Sequence, residues 1–166
     1  MDSRRRSQGN RGRALPASLI DGSLPPAALP TVAFILAAAT AFSTGTSFGT
    51  MSILLPTVVQ LAVATDPAMG PVALGSIAAV LAGSCLGDHA SPISDTTVLS
   101  ALGAQVEVIT HVRTQLPYAL TTGVLSIVLG YIPAGLGVSP WLCIPIGIAA
   151  SIAIVRFVGR HPEGAT

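Results

Sequence analysis

The chain has 166 residues, of which 51% are hydrophobic and only 9% are charged, and its mean hydropathy is +0.72. Because a soluble domain carries about 25% charged residues, this composition excludes an ordinary soluble globular protein. No charged residue lies between Asp21 and Asp66, between Asp66 and Asp88, or between Arg113 and Arg156. Uncharged apolar runs of this kind are typical of membrane spans. We therefore predict a multi-pass protein of the cell membrane, surrounded by the lipid bilayer and without a nucleic-acid partner.

The N-terminus is basic, since five of the eight arginines lie in residues 4–13 and the chain has no lysine. A cleaved secretory signal would show a compact apolar core followed by a small-residue cleavage site, and neither feature is present. We predict a disordered basic tail over residues 1–24, a transmembrane domain over residues 25–158 and a C-terminal tail over residues 159–166.

The first two predicted helices flank a polar stretch. Pro30 is a suitable first residue for a helix that runs to Phe42, and a second apolar run extends from Met51 to Ala64. At 1.5 Å per residue the first arm is about 20 Å long, shorter than a hydrocarbon core of about 30 Å. This length favours a re-entrant hairpin whose polar tip, residues 43–50, lies near the bilayer midplane. The alternative is two full spans joined by a surface turn.

A predicted discontinuous helix follows. The apolar run over residues 70–86 is interrupted at residues 87–92, and a helical pattern resumes through Leu102. Ser91 is a suitable N-cap for the second half, and Pro92 suits the first helical position. The two halves together are long enough for one span with an unwound centre.

Two further spans are predicted after a polar loop over residues 103–113, one from Leu116 to Ile132 and one from Pro140 to Val155. The predicted fold is therefore an all-α membrane protein with a re-entrant helical hairpin, a discontinuous helix and two further transmembrane helices. If every span crosses in order, Arg113 and Arg156 share one side, which the positive-inside rule places in the cytoplasm. The basic N-terminal tail then lies on the disfavoured side.

Asp88 and Asp95 are the two acids within the predicted membrane region, where a charged side chain is costly and therefore a functional candidate. No lysine or arginine occurs between Arg13 and Arg113, so His89 is the nearest cationic side chain. Such a carboxylate is neutralised either by a proton or by a metal cation. A site that must choose between the two exchanges one for the other, which is the physical basis of cation/proton antiport.

Hydroxyl groups surround these acids in the sequence. The candidate oxygen ligands are Ser43, Thr44, Thr46, Ser47, Ser91, Ser94, Thr96 and Thr97. Oxygen ligands favour hard cations, and unwound backbone adds carbonyl oxygens. We predict a site for a hard cation and a proton formed by Asp88, Asp95, these hydroxyls and His89, with no resident cofactor and no catalytic residue. The alternative for each hydroxyl is structural, because serine and threonine in membrane helices commonly bond to the backbone or to a neighbouring helix.

The helix dipole suggests different roles for the two acids. Asp95 lies in the first turn after the predicted break, where the dipole favours a negative charge. Asp88 lies just past the predicted end of the preceding half-helix, where the dipole disfavours it. The hypothesis is that Asp88 carries the proton and Asp95 is a permanent cation ligand.

Three segments resemble the NhaC family of Na⁺/H⁺ antiporters. The first is GSCLGDHASPISDTT at residues 83–97, and the others are FSTGTSFGT at residues 42–50 and HVRTQLPY at residues 111–118. The resemblance covers about residues 28–158. It implies a transporter built from two inverted repeats, each with a re-entrant hairpin and a discontinuous helix. The chain resembles the second, C-terminal repeat, with Na⁺ and H⁺ as the transported ions, a hairpin that enters from outside and a cytoplasmic C-terminus.

Three functions follow as alternatives. The leading one is secondary active Na⁺/H⁺ antiport rather than enzymatic catalysis. The second is exchange of an organic acid or amino acid coupled to a cation or proton. The third is a truncated, non-transporting fragment or a subunit, whose expected partner is the missing N-terminal repeat or a further copy of the chain.

Overall fold

A computed structural model describes residues 25–158, so the two predicted tails, residues 1–24 and 159–166, lie outside the described residues. The described part folds into helices without any strand. Five segments are long and apolar enough to cross a membrane: Pro26–Thr44, Ser47–Thr65, Pro71–Ala90, Val108–Gly135 and Pro140–Phe157. The all-α prediction is therefore confirmed.

The helices are labelled in chain order. They are α1 (Leu29–Thr44, preceded by a 3₁₀ turn at Pro26–Ala28), α2 (Ser47–Thr65), α3 (Pro71–Ala90), α4 (Asp95–Gly103), α5 (Val108–Ser126), α6 (Ile132–Gly135) and α7 (Pro140–Val158). A π-helical turn at Ile127–Tyr131 joins α5 to α6, so the predicted fourth span begins earlier and ends later than its apolar run indicated. The predicted polar loop over residues 103–113 is shorter, because α5 already begins at Val108.

α1 and α2 form a helical hairpin with a two-residue connection, Gly45-Thr46. Gly45 has a φ of +67°, a left-handed conformation that costs glycine no steric clash, and its N–H donates to the Ala41 carbonyl at 2.8 Å. Thr46 caps α2, because its hydroxyl oxygen accepts from the Gly49 N–H at 3.2 Å. The arms are 19 residues each when the 3₁₀ turn is included, longer than predicted. Since that is about 28 Å of helix, re-entrant insertion stays a prediction.

The discontinuous helix breaks later than the sequence indicated. α3 continues through Gly87 to Ala90, residues 91–94 are unwound, and α4 begins at Asp95. Ser91 therefore ends α3 as its C-cap, and Ser94 is the N-cap residue of α4. The prediction that Ser91 caps the restart with Pro92 as its first helical residue is wrong.

Close packing between α1 and α3 explains why Gly87 does not break the helix. A Cβ on Gly83 would lie 2.5 Å from the Phe34 carbonyl oxygen, and a Cβ on Gly87 would lie 2.8 Å from the Phe42 nitrogen. The two backbones are thus in direct contact, as small residues permit between membrane helices. The adjoining core consists of Ala33, Phe34, Ala37, Ala79 and Val80.

The C-terminal helices pack more loosely. The centroids of the Tyr131 ring in the π-helical turn and of the Phe34 ring lie 4.8 Å apart, and this contact connects the region to α1. The apolar stretch of α7 buries none of its residues against the rest of the described chain. Its exposed apolar surface suits contact with lipid or with other membrane helices.

Candidate cation and proton site

A chain of hydrogen bonds crosses the helix break. The Ser94 hydroxyl donates to the Asp88 carboxylate at 2.7 Å and lies 2.8 Å from the Thr96 hydroxyl. Because the single Ser94 hydrogen is directed at the carboxylate, Thr96 is the donor to Ser94. Asp88 is half-buried in the last turn of α3, while Ser94 is fully buried and makes no side-chain cap bond of its own. The break thus connects one carboxylate to the Ser94 hydroxyl and, through it, to the Thr96 hydroxyl.

Two other predicted ligands fix the shape of the break. The Ser91 hydroxyl donates to the Phe42 carbonyl at 2.7 Å, and the Thr97 hydroxyl donates to the His89 carbonyl at 3.2 Å. Both carbonyls lie in the last turn of a helix, where no backbone N–H is available to them. Ser91 and Thr97 are buried, and in this geometry their hydroxyls satisfy carbonyl groups at the helix ends. The His89 side chain is exposed, so His89 contributes its backbone to the break.

The hairpin tip contacts the same break. A Cβ on Gly45 would lie 2.9 Å from the Ile93 side chain and 3.0 Å from the Ile93 carbonyl oxygen. The structure therefore brings together the two polar motifs that the sequence singled out. The hairpin tip contributes the Gly45 backbone to this contact. The Ser43 hydroxyl does not take part, since it donates to the Ala39 carbonyl at 2.8 Å and remains exposed.

The remaining hydroxyls of the tip form a second, separate group. Thr44 donates to the Thr40 carbonyl at 2.9 Å and lies 3.4 Å from the Thr50 hydroxyl. Thr50 donates to the Thr46 carbonyl at 2.9 Å and is almost completely buried. Thr50 was missed among the candidates, although its spacing of four from Thr46 places it one turn into the capped helix. Ser47 is half-buried at the start of α2.

Asp95 lies beside the hydrogen-bonded chain rather than within it. It is the first residue of α4 and is exposed, as is Thr96. The dipole argument for Asp95 is compatible with this position, and Asp88 lies within the last turn of α3 instead of beyond it. The two roles stay predictions. Among residues 25–158 no three His, Cys, Asp or Glu side chains cluster as a metal site, so the donors at the break are mainly hydroxyl and carbonyl oxygens.

Ser84 is a further residue that the sequence reading missed. Its hydroxyl is fully buried and has no hydrogen-bond partner among the described residues. The signal available in the sequence was its spacing, because Ser84 precedes Asp88 by four residues and so shares its helix face.

Comparison with known proteins decides the family. The Na⁺/H⁺ antiporter family matches residues 12–136, which include the hairpin and the helix break. This chain belongs to the Na⁺/H⁺ antiporter family. Together with the five helices of membrane-spanning length, membership in the antiporter family makes the chain a multi-pass membrane protein of a transporter family rather than an enzyme. The NhaC assignment within the antiporter family stays a prediction.

Antiporters are also found among similar curated proteins. The chain is 47% identical over 124 residues to an "uncharacterized protein" of Haemophilus influenzae, covering 72% of this chain and 23% of the relative. It is 35% identical over 100 residues to the malate-2H(+)/Na(+)-lactate antiporter of Bacillus subtilis, covering 56% of this chain and 20% of the relative. It is 33% identical over 106 residues to the arginine/ornithine antiporter of Halobacterium salinarum, covering 64% of this chain and 21% of the relative. The chain thus matches less than a quarter of the length of each of these relatives. No solved structure matches the chain.

Proposed function

We propose that this chain forms the ion-binding part of a transporter that exchanges Na⁺ for H⁺ across the cell membrane, with Asp88 as the group for which the two ions compete. The observation that carries the proposal is the half-buried Asp88 carboxylate, which receives the Ser94 hydrogen bond at 2.7 Å across a helix break. No lysine or arginine occurs in the sequence between Arg13 and Arg113 to neutralise it. A mobile cation or a proton must do so.

The hydroxyls around Asp88 suit both occupants. Without a cation, Ser94 donates its hydrogen to the ionised carboxylate. When Na⁺ binds, rotation of the hydroxyl directs an oxygen lone pair of Ser94 at the ion, and Thr96 follows. Because Na⁺ and a proton neutralise the same carboxylate, binding of one displaces the other.

Asp95 has a supporting role in this proposal. It is exposed at the start of α4, and a charged side chain in contact with lipid is costly. We infer that Asp95 lies on the ion pathway or against another part of the transporter, where it attracts and holds Na⁺.

Transport requires more than a binding site. The matched region covers less than a quarter of each named relative, so we assign to this chain the ion site alone. The movement that exposes the site alternately to the two sides of the membrane is assigned to further membrane segments. Those segments are the first repeat expected from the family resemblance, or a second copy of this chain.

Exchange of organic ions is the second candidate function, and the names of two relatives favour it. One is named for malate and lactate, the other for arginine and ornithine. In vesicles or nanodiscs containing the chain, malate, lactate, arginine or ornithine should alter the affinity for Na⁺ if an organic ion shares the site. An unchanged Na⁺ affinity favours simple Na⁺/H⁺ exchange.

The proposal is tested by Na⁺-dependent proton flux in everted vesicles that contain the intact chain, Asp88→Asn, Asp95→Asn or the control Asp66→Asn. Asp66 lies in the loop between α2 and α3, away from the break. Where a second copy of the chain completes the transporter and exchange is observed, Asp88→Asn should abolish pH-dependent exchange, Asp95→Asn should weaken Na⁺ dependence, and Asp66→Asn should retain activity. Retained pH-dependent exchange in Asp88→Asn would contradict the proposal.

Flux also tests whether the chain works alone. Equilibrium binding of ²²Na⁺ to the purified chain does not require alternating access. Saturable binding without flux would support the assignment of the ion site to this chain and of the movement to other segments. The absence of saturable binding would count against the site itself.

A further inference from the structure

Ser84 presents a buried hydroxyl group with no hydrogen-bond partner among residues 25–158. Its side chain has 0% exposure, and its Oγ makes no hydrogen bond within the described residues. A hydroxyl that loses water without gaining a hydrogen bond is destabilising, which is why nearly all buried polar groups in proteins have partners. An unpaired hydroxyl at this depth is therefore a candidate ligand for a bound ion.

Ser84 also differs from a matched serine on the same helix. Ser76 is equally buried and lies two turns earlier on α3, and its hydroxyl donates to the Val72 carbonyl at 2.7 Å. This bond to the carbonyl four residues back is the common arrangement for serine in a helix. Ser84 does not make the equivalent bond to Val80, so both its hydrogen and its oxygen are available.

The position of Ser84 relates this free hydroxyl to Asp88. Residues four apart on a helix are neighbours on one face, with Cβ atoms about 5–6 Å apart, so one small cation can contact both side chains. The neighbouring Gly83 and Gly87 allow close contact between α1 and α3 at this part of the helix. Ser94 approaches the Asp88 carboxylate from beyond the break, whereas Ser84 lies one turn before it.

We propose that the Ser84 hydroxyl is a further ligand of the transported Na⁺, placed one helical turn before Asp88. The proposal rests on the exchange function above and adds a residue to its binding site. A hydroxyl oxygen is a neutral, hard donor and suits Na⁺. When Asp88 is protonated instead, its O–H can donate to the same oxygen. The Ser84 hydroxyl thus has a partner whether the site holds Na⁺ or a proton on Asp88.

The test is equilibrium binding of ²²Na⁺ to the purified full chain in lipid nanodiscs. Ser84→Ala should weaken Na⁺ binding about tenfold, the loss of one good ligand contact. Ser84→Cys should weaken binding similarly, because a thiol is a softer donor of nearly the same size. The matched control Ser76→Ala should bind Na⁺ as the unsubstituted chain does. Thermal unfolding of Ser84→Ala should not be easier, since no hydrogen bond within the protein is lost.

Asp88→Asn in the same assay separates the two proposals. Loss of binding in Asp88→Asn together with unchanged affinity in Ser84→Ala would overturn the role of Ser84 and leave the exchange site standing. Unchanged binding in Asp88→Asn would overturn the exchange site and the Ser84 ligand with it. Weakened binding in both, with Ser76→Ala unaffected, supports both.

Discussion

The Gly87→Ala substitution tests whether contact between the α1 and α3 backbones builds the site. The added methyl group would collide with the Ala38 carbonyl oxygen and lie 2.8 Å from the Phe42 nitrogen. Both are backbone atoms, so a side-chain rotation cannot relieve the clash and α1 must move away. Such a shift would also strain the 2.7 Å hydrogen bond from Ser91 to the Phe42 carbonyl.

The expected magnitude follows from three effects. Overpacking against backbone costs about 3 kcal/mol, the upper end of the usual range. Loss of the Ser91 hydrogen bond adds about 1 kcal/mol. Alanine is favoured over glycine inside a helix by about 1 kcal/mol, which partly offsets these costs. We therefore expect Gly87→Ala to lower the free energy of unfolding by about 3 kcal/mol.

The assay is unfolding in mixed micelles of mild detergent and sodium dodecyl sulfate, followed by circular dichroism. The matched control is Gly147→Ala in the middle of α7, because nothing lies within 4 Å of a Cβ at that position. Gly147→Ala should be neutral or slightly stabilising. The reasoning would be refuted if Gly87→Ala were as stable as Gly147→Ala and also bound Na⁺ normally.

Two further substitutions test local parts of the site. Ser94→Ala removes the hydrogen bond to the Asp88 carboxylate but no helix cap bond, so we expect about tenfold weaker ²²Na⁺ binding and a loss of about 1.5 kcal/mol in the unfolding assay; equal affinity would contradict the role of Ser94. Thr46→Ala removes the oxygen that accepts from the Gly49 N–H and should destabilise the hairpin by about 1 kcal/mol in the same unfolding assay. The control Ser43→Ala removes only an exposed hydrogen bond to the Ala39 carbonyl of its own helix and should lower the stability much less.

The helix break shows how far the sequence could predict the site. The composition around residues 87–92 correctly indicated an interruption, because glycine, serine and proline are poor helix formers. The predicted position of the break was wrong because Gly87 stays helical. Its lack of a side chain permits contact with the α1 backbone, which the sequence alone does not reveal. The actual end at Ala90 is stabilised by Ser91 and Thr97, which bond to carbonyls at helix ends.

The hydroxyl candidates divide in a way that the sequence could not show. All eight were equivalent as potential oxygen ligands, yet in the structure only Ser94 and Thr96 belong to the chain of bonds at Asp88. The Thr44 hydroxyl lies beside that of Thr50, and the Thr46 hydroxyl caps α2. Whether a hydroxyl faces its own helix or a carboxylate depends on neighbours distant in the chain.

The sequence by itself determined that this protein lies in a membrane, that its spans are helical and that an interruption follows the third apolar run. Those properties depend on hydropathy and charge along the chain, which are local. The tertiary structure decided where the long helix breaks, that Ser94 bonds to Asp88 and that Ser84 is buried without a hydrogen-bond partner in the described part of the chain. Those properties depend on backbone contacts between α1 and α3 and on bonds across the break, which arise only when distant segments pack together.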